Sequence, residues 1–239
     1  MEIGDGQKQL KFGEEIIQKT SIKIDLGLII SDDMKWNEHI DMVCLKAIRV
    51  FYMIKRNVSN LTAKAKLNLY KSMIVPILLY GSPCYGMSKY VMSELESVQR
   101  RVVNWIKFGD ESYKDKLSSI SILPLPMYIQ INNLLLLSKM LSGRYETPML
   151  KIPVYTDFSR YSLFQLKRPN RKILEEDFFF QTCRLADALR LDLRDQIGLK
   201  KKLLQLFWYE LKNYDQGNKC SWRLACDCTQ NNCRNKTTI

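Results

Sequence analysis

Histidine is almost missing from this 239-residue chain, which has one, His39. Nucleophilic dyads and triads that need an imidazole base therefore reduce to a single candidate, with Cys44 as its nucleophile. The two are five residues apart on one expected helix, not the three or four that share a face. His39 is better read as a first-turn residue of that helix. Glycine and proline are also scarce, at 10 and 7, which excludes collagen-like and linker-rich architectures. No uninterrupted apolar run exceeds the length of Met73–Tyr80, far short of the roughly 20 residues of a membrane-spanning helix. The opening residues, MEIGDGQKQLKFGEE, are polar and acidic where a secretory leader needs an apolar segment. An intracellular location, nucleus or cytoplasm, is expected, with no membrane partner. There the seven cysteines are expected to be reduced, and the glycosylation triplets at Asn57 and Asn60 carry no weight. No Walker loop, G-x-S-x-G or H-E-x-x-H motif occurs.

What is abundant is positive charge. Lysine and arginine number 37 against 25 acidic residues, a net +12 on a chain of ordinary apolar fraction, 46%. A length of this order allows one good core, or one core plus an appendage. A basic excess of this size points to nucleic acid or an anionic surface, against the plain alternative of a solvated cationic face. Between Lys35 and Gly109 there are 12 basic and 4 acidic residues. The excess therefore sits on successive helical patterns with interleaved aromatics rather than in a tail, which favours nucleic acid.

The stretch Ile24–Arg56 reads as a strand over Ile24–Ile30, an acidic turn at Ser31-Asp32-Asp33, and a long amphipathic helix. Trp36, Ile40, Val43, Cys44, Ala47, Val50, Phe51 and Ile54 form its apolar face, while Lys46, Arg49, Met53 and Arg56 share another. Before it, Gln9–Phe12 and Glu14–Lys19 flank Gly13 as a tight hairpin. After it, Thr62 caps a second helix that Pro76 should kink or end near Val75. A third helix runs from about Ser88 to Phe108, with Arg100 and Lys107 opposite its apolar face. Ser112–Ile120 forms a short helix, and Met127–Leu141 a helix so apolar all round that it should be buried. Residues 144–175, with Pro148, Pro153 and Pro169, read as a boundary, with an edge strand near Tyr161–Leu166. Two further helices follow, through Phe178–Leu189 and Leu199–Leu211.

The ordered pieces Asp25-Leu26-Gly27, Trp36, His39-Ile40, Lys46-Ala47 and Arg49, then Tyr70, Pro76-Ile77-Leu78-Leu79-Tyr80 and Leu95-Glu96-Ser97-Val98-Gln99-Arg100-Arg101, carry a resemblance. Together they resemble the passage from palm to thumb in reverse transcriptases of non-LTR (LINE-type) retrotransposons, over residues 20–145 and more loosely beyond. The chain departs from that family at Gln130-Ile131-Asn132, where paired arginines are common, and at 186–191, where a Trp-Asn-x-Leu-Pro-like stretch is usual. The resemblance implies a mainly α fold: end-of-palm strands over 1–31, a thumb-like helical bundle over 32–145, a linker at 146–175, C-terminal helices over 176–215 and a Cys-rich tail over 216–239.

It also implies a clamp on an RNA or RNA–DNA hybrid template–primer. Lys46, Arg49, Lys55, Arg56, Lys64, Lys71, Arg100, Arg101 and Lys107 would hold phosphates, and Leu26 and Gly27 would correspond to the strand near the primer grip. Other proteins encoded by the same element are further candidate partners. Polymerase chemistry needs carboxylates that hold two Mg²⁺ ions, and the only imitation of the family's aromatic-x-Asp-Asp hairpin is Asp32-Asp33. Ile30 stands where the aromatic belongs, and the pair follows the Leu26-Gly27 strand where the family's aspartates precede it. Asp32-Asp33 is read as a turn, no catalysis is expected from this chain, and Mg²⁺ belongs to the full-length parent enzyme. Cys220, Cys226, Cys228 and Cys233 are a candidate zinc set, although their x5, x1, x4 spacing lacks paired C-x₂-C knuckles. The alternative is a degenerate element remnant or helical protein-interaction module with no nucleic-acid role.

Overall fold

The structure, a computed structural model, describes residues 11–16, 18–58, 60–85, 88–145, 164, 178–189, 191, 193 and 198–213. It is mainly helical, with small antiparallel hairpins at the N-terminal side. The first hairpin pairs β1 (Lys11–Phe12) with β2 (Glu15–Ile16) across Gly13, whose φ of 63° is the left-handed geometry that a tight turn needs. The second pairs β3 (Ile22–Asp25) with β4 (Leu28–Ser31), with Asp25 opposite Leu28 and Ile22 opposite Ser31.

That second hairpin corrects the sequence reading, which took Ile24–Ile30 as one strand. The chain reverses at Leu26-Gly27, both at positive φ (46° and 80°), so the two-residue loop has the dihedral signs of a type I′ turn. Leucine is not a turn former, so Gly27 is the one local signal of the reversal. A distant residue, Tyr80, supports it: its Oη donates to the Leu26 carbonyl at 2.6 Å across 54 residues.

Helix α1 (Asn37–Asn57) buries His39, Ile40, Val43, Cys44, Ala47, Phe51 and Ile54, the stripe expected from its periodicity. Helix α2 (Ala63–Leu69) starts where Thr62 Oγ1 accepts from the Ala65 N–H. It passes into a π-helical turn at Tyr70–Ile74 and then α3 (Val75–Leu79). Pro76 therefore opens α3. The helical run is continuous through it, with the Val75 N–H still donating to the Tyr70 carbonyl, and the wide turn before Pro76 accommodates its missing N–H. Helix α4 (Lys89–Ile106) is capped by Ser88, whose Oγ accepts from the Val91 N–H.

Two compact units divide the chain between Val98 and Gln99, within α4. In the first, α1, the π-helical turn and α3 contribute Ile40, Phe51, Tyr70, Ile74 and Leu78 to the core, joined by Tyr85, Val91 and Leu95. In the second, α5 (Tyr113–Ser119) and α6 (Leu125–Leu141) are followed by α7 (Phe178–Ala188) and α8 (Leu199–Asn213). Leu123, Met127, Ile131, Leu134 and Leu137 pack with Phe164, Cys183, Leu185, Leu199, Leu203, Phe207 and Leu211. Helix α6 is buried, as its composition requires. The expected linker and edge strand at 146–175 lie outside the described residues except for Phe164, which is buried in this core.

Candidate nucleic-acid interface

Burial of one stripe of α1 forces its cations outward. Lys46, Arg49, Lys55 and Arg56 are all exposed, and no ion pair is formed by any of them among the described residues. Arg49 and Arg56 follow the helix axis at a seven-residue spacing, about two turns, with Leu45, Tyr52 and Met53 exposed between and beside them. Lys55 and Arg56 occupy the last turn, where the helix dipole favours positive charge. Lys64 and Lys71 are exposed along α2 and the turn after it.

The pieces around Leu26-Gly27 and Tyr80 meet in space. Besides the hydrogen bond to Leu26, the Tyr80 ring lies 3.5 Å from where a Gly27 Cβ would stand. Gly81 backs onto Leu28. The hairpin tip is thus fixed from α3's end and holds the Leu26 side chain 83% exposed.

His39 joins the same hairpin to α1. It is fully buried, and its Nδ1 accepts from the Ile29 N–H at 3.4 Å, which covers an outward-pointing donor of β4. Trp36 meets the ring edge-on at 6.1 Å and Tyr85 lies tilted at 5.8 Å. With Nδ1 as acceptor, the proton of the neutral ring sits on Nε2. Burial pushes the His39 pKa below its ordinary 6.5. The folded state therefore resists a proton that the unfolded chain accepts. The associated stability is present above about pH 6.5 and lost as pH falls through that value toward the folded pKa. As the only histidine, His39 has that window to itself among the side chains at their ordinary pKa values. Urea midpoints should fall between pH 7 and pH 5, and His39→Asn, whose Oδ1 can accept the Ile29 bond, should flatten the profile. An equally steep profile in the variant would contradict this role.

Two nearby groups are displaced in opposite directions. Burial, then the Glu94 and Asp41 carboxylates, push the Cys44 thiol up to about 12. Asp32 and Asp33 lie in the turn before α1. Ser31 Oγ donates to Asp33 Oδ1 at 2.6 Å and the Lys35 N–H donates at 2.9 Å, with Lys35 Nζ 3.0 Å from Oδ2. These partners hold the Asp33 carboxyl down at about 2.

In the second unit the outward stripe of α4 gathers Arg100, Arg101 and Asn104, all exposed. Arg100 lies over the Tyr113 ring, 4.1 Å from its centroid, and Tyr113 Oη donates to Gln99 Oε1 at 3.1 Å. The stacking orients the guanidinium while leaving it on the surface. Lys116 is buried, and its Nζ donates to Asn104 Oδ1 at 2.8 Å. Lys107 pairs with Glu111 at 2.7 Å, so a phosphate would have to displace that carboxylate. Ser112 caps α5 by accepting from the Asp115 N–H. Phe108, just past α4, is 97% exposed. Asn104, Lys116 and Phe108 did not emerge from the sequence reading. The four-residue steps Arg100, Asn104 and Phe108 were its available signal, and the Lys107–Glu111 pair was legible as an i,i+4 spacing.

No family model, curated protein or solved structure matches the chain. Cys220, Cys226, Cys228 and Cys233 lie outside the described residues. Among the described residues no helix is long and apolar enough to cross a membrane.

Proposed function

We propose that the chain is a helical nucleic-acid-binding module, the thumb-like and post-thumb part of a LINE-type reverse transcriptase. It holds an RNA or RNA–DNA hybrid template–primer by its phosphates and does no polymerase chemistry itself. The observation that carries this reading is the α4 stripe. Arg100 is oriented by Tyr113, Arg101 stands beside it, and Asn104 is tied to the Lys116 ammonium, so charge and hydrogen-bonding groups share one helical face. Such groups neutralise phosphates without reading base sequence. In the first unit, taken by itself, the exposed cations of α1 and α2 are phosphate-binding groups, and the Leu26-Gly27 tip takes the role that the resemblance assigns near the primer end. The catalytic Mg²⁺ ions belong to the full-length enzyme, and zinc at the tail cysteines would add a template contact.

A second reading is favoured by one specific feature. Leu45, Tyr52 and Met53 are exposed beside Arg49 on α1, and tyrosine, methionine and arginine are enriched in protein–protein interfaces. That face suits a protein partner, as an interaction module without nucleic-acid function would require.

Binding to a fluorescent RNA–DNA hybrid across a salt series separates the two. Log affinity should fall against log salt by about 0.9 per phosphate contact in B-DNA, with a similar scale for a hybrid. Replacing Arg100 and Arg101 together by alanine should lower affinity by about tenfold or more and flatten the slope by about 2. Weak, salt-indifferent binding, or binding indifferent to both arginines, would overturn the clamp.

A further inference from the structure

Phe108 is more exposed than any other large apolar side chain among the described residues. Its position follows from the structure on both sides. The Lys107 N–H still donates to the Val103 carbonyl at 2.9 Å, which continues α4 to the residue before it. On the far side the Lys107–Glu111 ion pair and the Ser112 cap of α5 tie down the connection. Gly109 follows at φ 144°, and no heavy atom lies within 4 Å of where its Cβ would be. The loop is pinned at its ends and open around its middle. Phe108 comes one helical turn after Asn104 and two after Arg101, at the end of the cationic stripe.

We propose that Phe108 is a stacking platform for an unpaired base, so that the preferred ligand is a duplex carrying a single-stranded extension. This rests on the nucleic-acid reading above and specifies its substrate class. A duplex buries its base faces in its own stack, and a phosphate-binding stripe has no use for a phenyl ring. An extension offers a bare π-face on every base, and its backbone carries the charge that Arg100 and Arg101 complement. Stacking on an aromatic ring is tolerant of base identity, in keeping with a stripe that contacts phosphates and reads no sequence.

Fluorescence polarisation would compare a blunt hybrid duplex with the same duplex bearing a short single-stranded extension. The full chain should bind the extended form about five- to a hundredfold more tightly, the range expected of one stacked base. Phe108→Ala should remove that preference and leave blunt-duplex affinity unchanged, while Phe108→Trp should retain it. A 2-aminopurine in the extension should lose fluorescence on binding to the unsubstituted chain and not to Phe108→Ala. If both duplexes bind well but Phe108→Ala leaves their ratio unchanged, the platform is wrong and the clamp stands. If the unsubstituted chain binds neither duplex, the clamp reading fails and the platform with it.

Discussion

Replacing Gln99 with leucine should lower the stability of the second unit by about 2–4 kcal/mol, a large effect for a substitution of nearly equal volume. The reason is the start of α6. The helix opens at Leu125 behind Pro124, which has no side chain able to cap it, and Pro126 has no N–H to satisfy. Met127 and Tyr128 donate their N–H groups to the Pro124 carbonyl at 3.0 and 3.2 Å. The remaining donor, the Leu125 N–H, is taken by Gln99 Oε1 at 2.8 Å, while Gln99 Nε2 donates to the Leu123 carbonyl at 3.0 Å. Gln99 is fully buried. Leucine would leave the Leu125 donor and the Leu123 acceptor buried and unmatched, each costing about 1–3 kcal/mol before relaxation. Tyr113, only half-buried, could turn its hydroxyl to water, but the ring that orients Arg100 would lose its anchor. The expected result is therefore earlier urea unfolding with faster amide exchange at the first turns of α6, and weaker nucleic-acid binding than stability alone accounts for. A loss below about 1 kcal/mol with unchanged exchange at Leu125 would show that α6 does not depend on this contact.

Gln99 also marks the limit of what the sequence could disclose. The helices were legible because their information is local. The three-and-four spacing of Ile40, Val43, Cys44, Ala47, Phe51 and Ile54 becomes the buried stripe of α1, and Thr62, Ser88, Ser112 and Pro126 stand at the helix starts that their chemistry suggests. Since one stripe of a helix must be buried, the outward direction of Lys46, Arg49, Arg56, Arg100 and Arg101 was legible with it. What was not legible depends on contacts between residues far apart in the chain. The reversal at Leu26 relies on Tyr80, the start of α6 on Gln99, and the placement of Arg100 on Tyr113 thirteen residues later. Pro76 illustrates a different failure. A proline warns that a helical ladder must break, but whether it ends in a kink, a stop or a π-helical turn depends on what the surrounding core must keep buried. Here Tyr70, Ile74 and Leu78 all stay inside.

The corresponding effect in the first unit should follow from Gly81. It has a φ of 71°, and a Cβ built there would lie 2.4 Å from Leu28 Cδ2. Valine at this position carries two costs. A β-branched residue in the left-handed region is strained by about 1–2 kcal/mol or more, and the overlap must displace Leu28, the first residue of β4, at a further 1–3 kcal/mol, roughly, for overpacking. Gly81→Val should therefore destabilise the first unit by about 2–5 kcal/mol in total. Gly27→Ala provides the comparison. Its φ is also positive, at 80°, but its Cβ would meet the Tyr80 ring at 3.5 Å, an ordinary contact. Only the backbone term should appear there, about 1–2 kcal/mol. Gly81→Ala should exceed Gly27→Ala, and combining it with Leu28→Ala should give less than the sum of the two single losses, because Leu28→Ala takes away the side chain that the new Cβ would strike. Full additivity would mean that Leu28 moves aside without cost, leaving the hairpin held by Tyr80 and His39 alone. Coupling of about 0.5 kcal/mol or more would instead make the Gly81–Leu28 contact part of what fixes the Leu26-Gly27 tip.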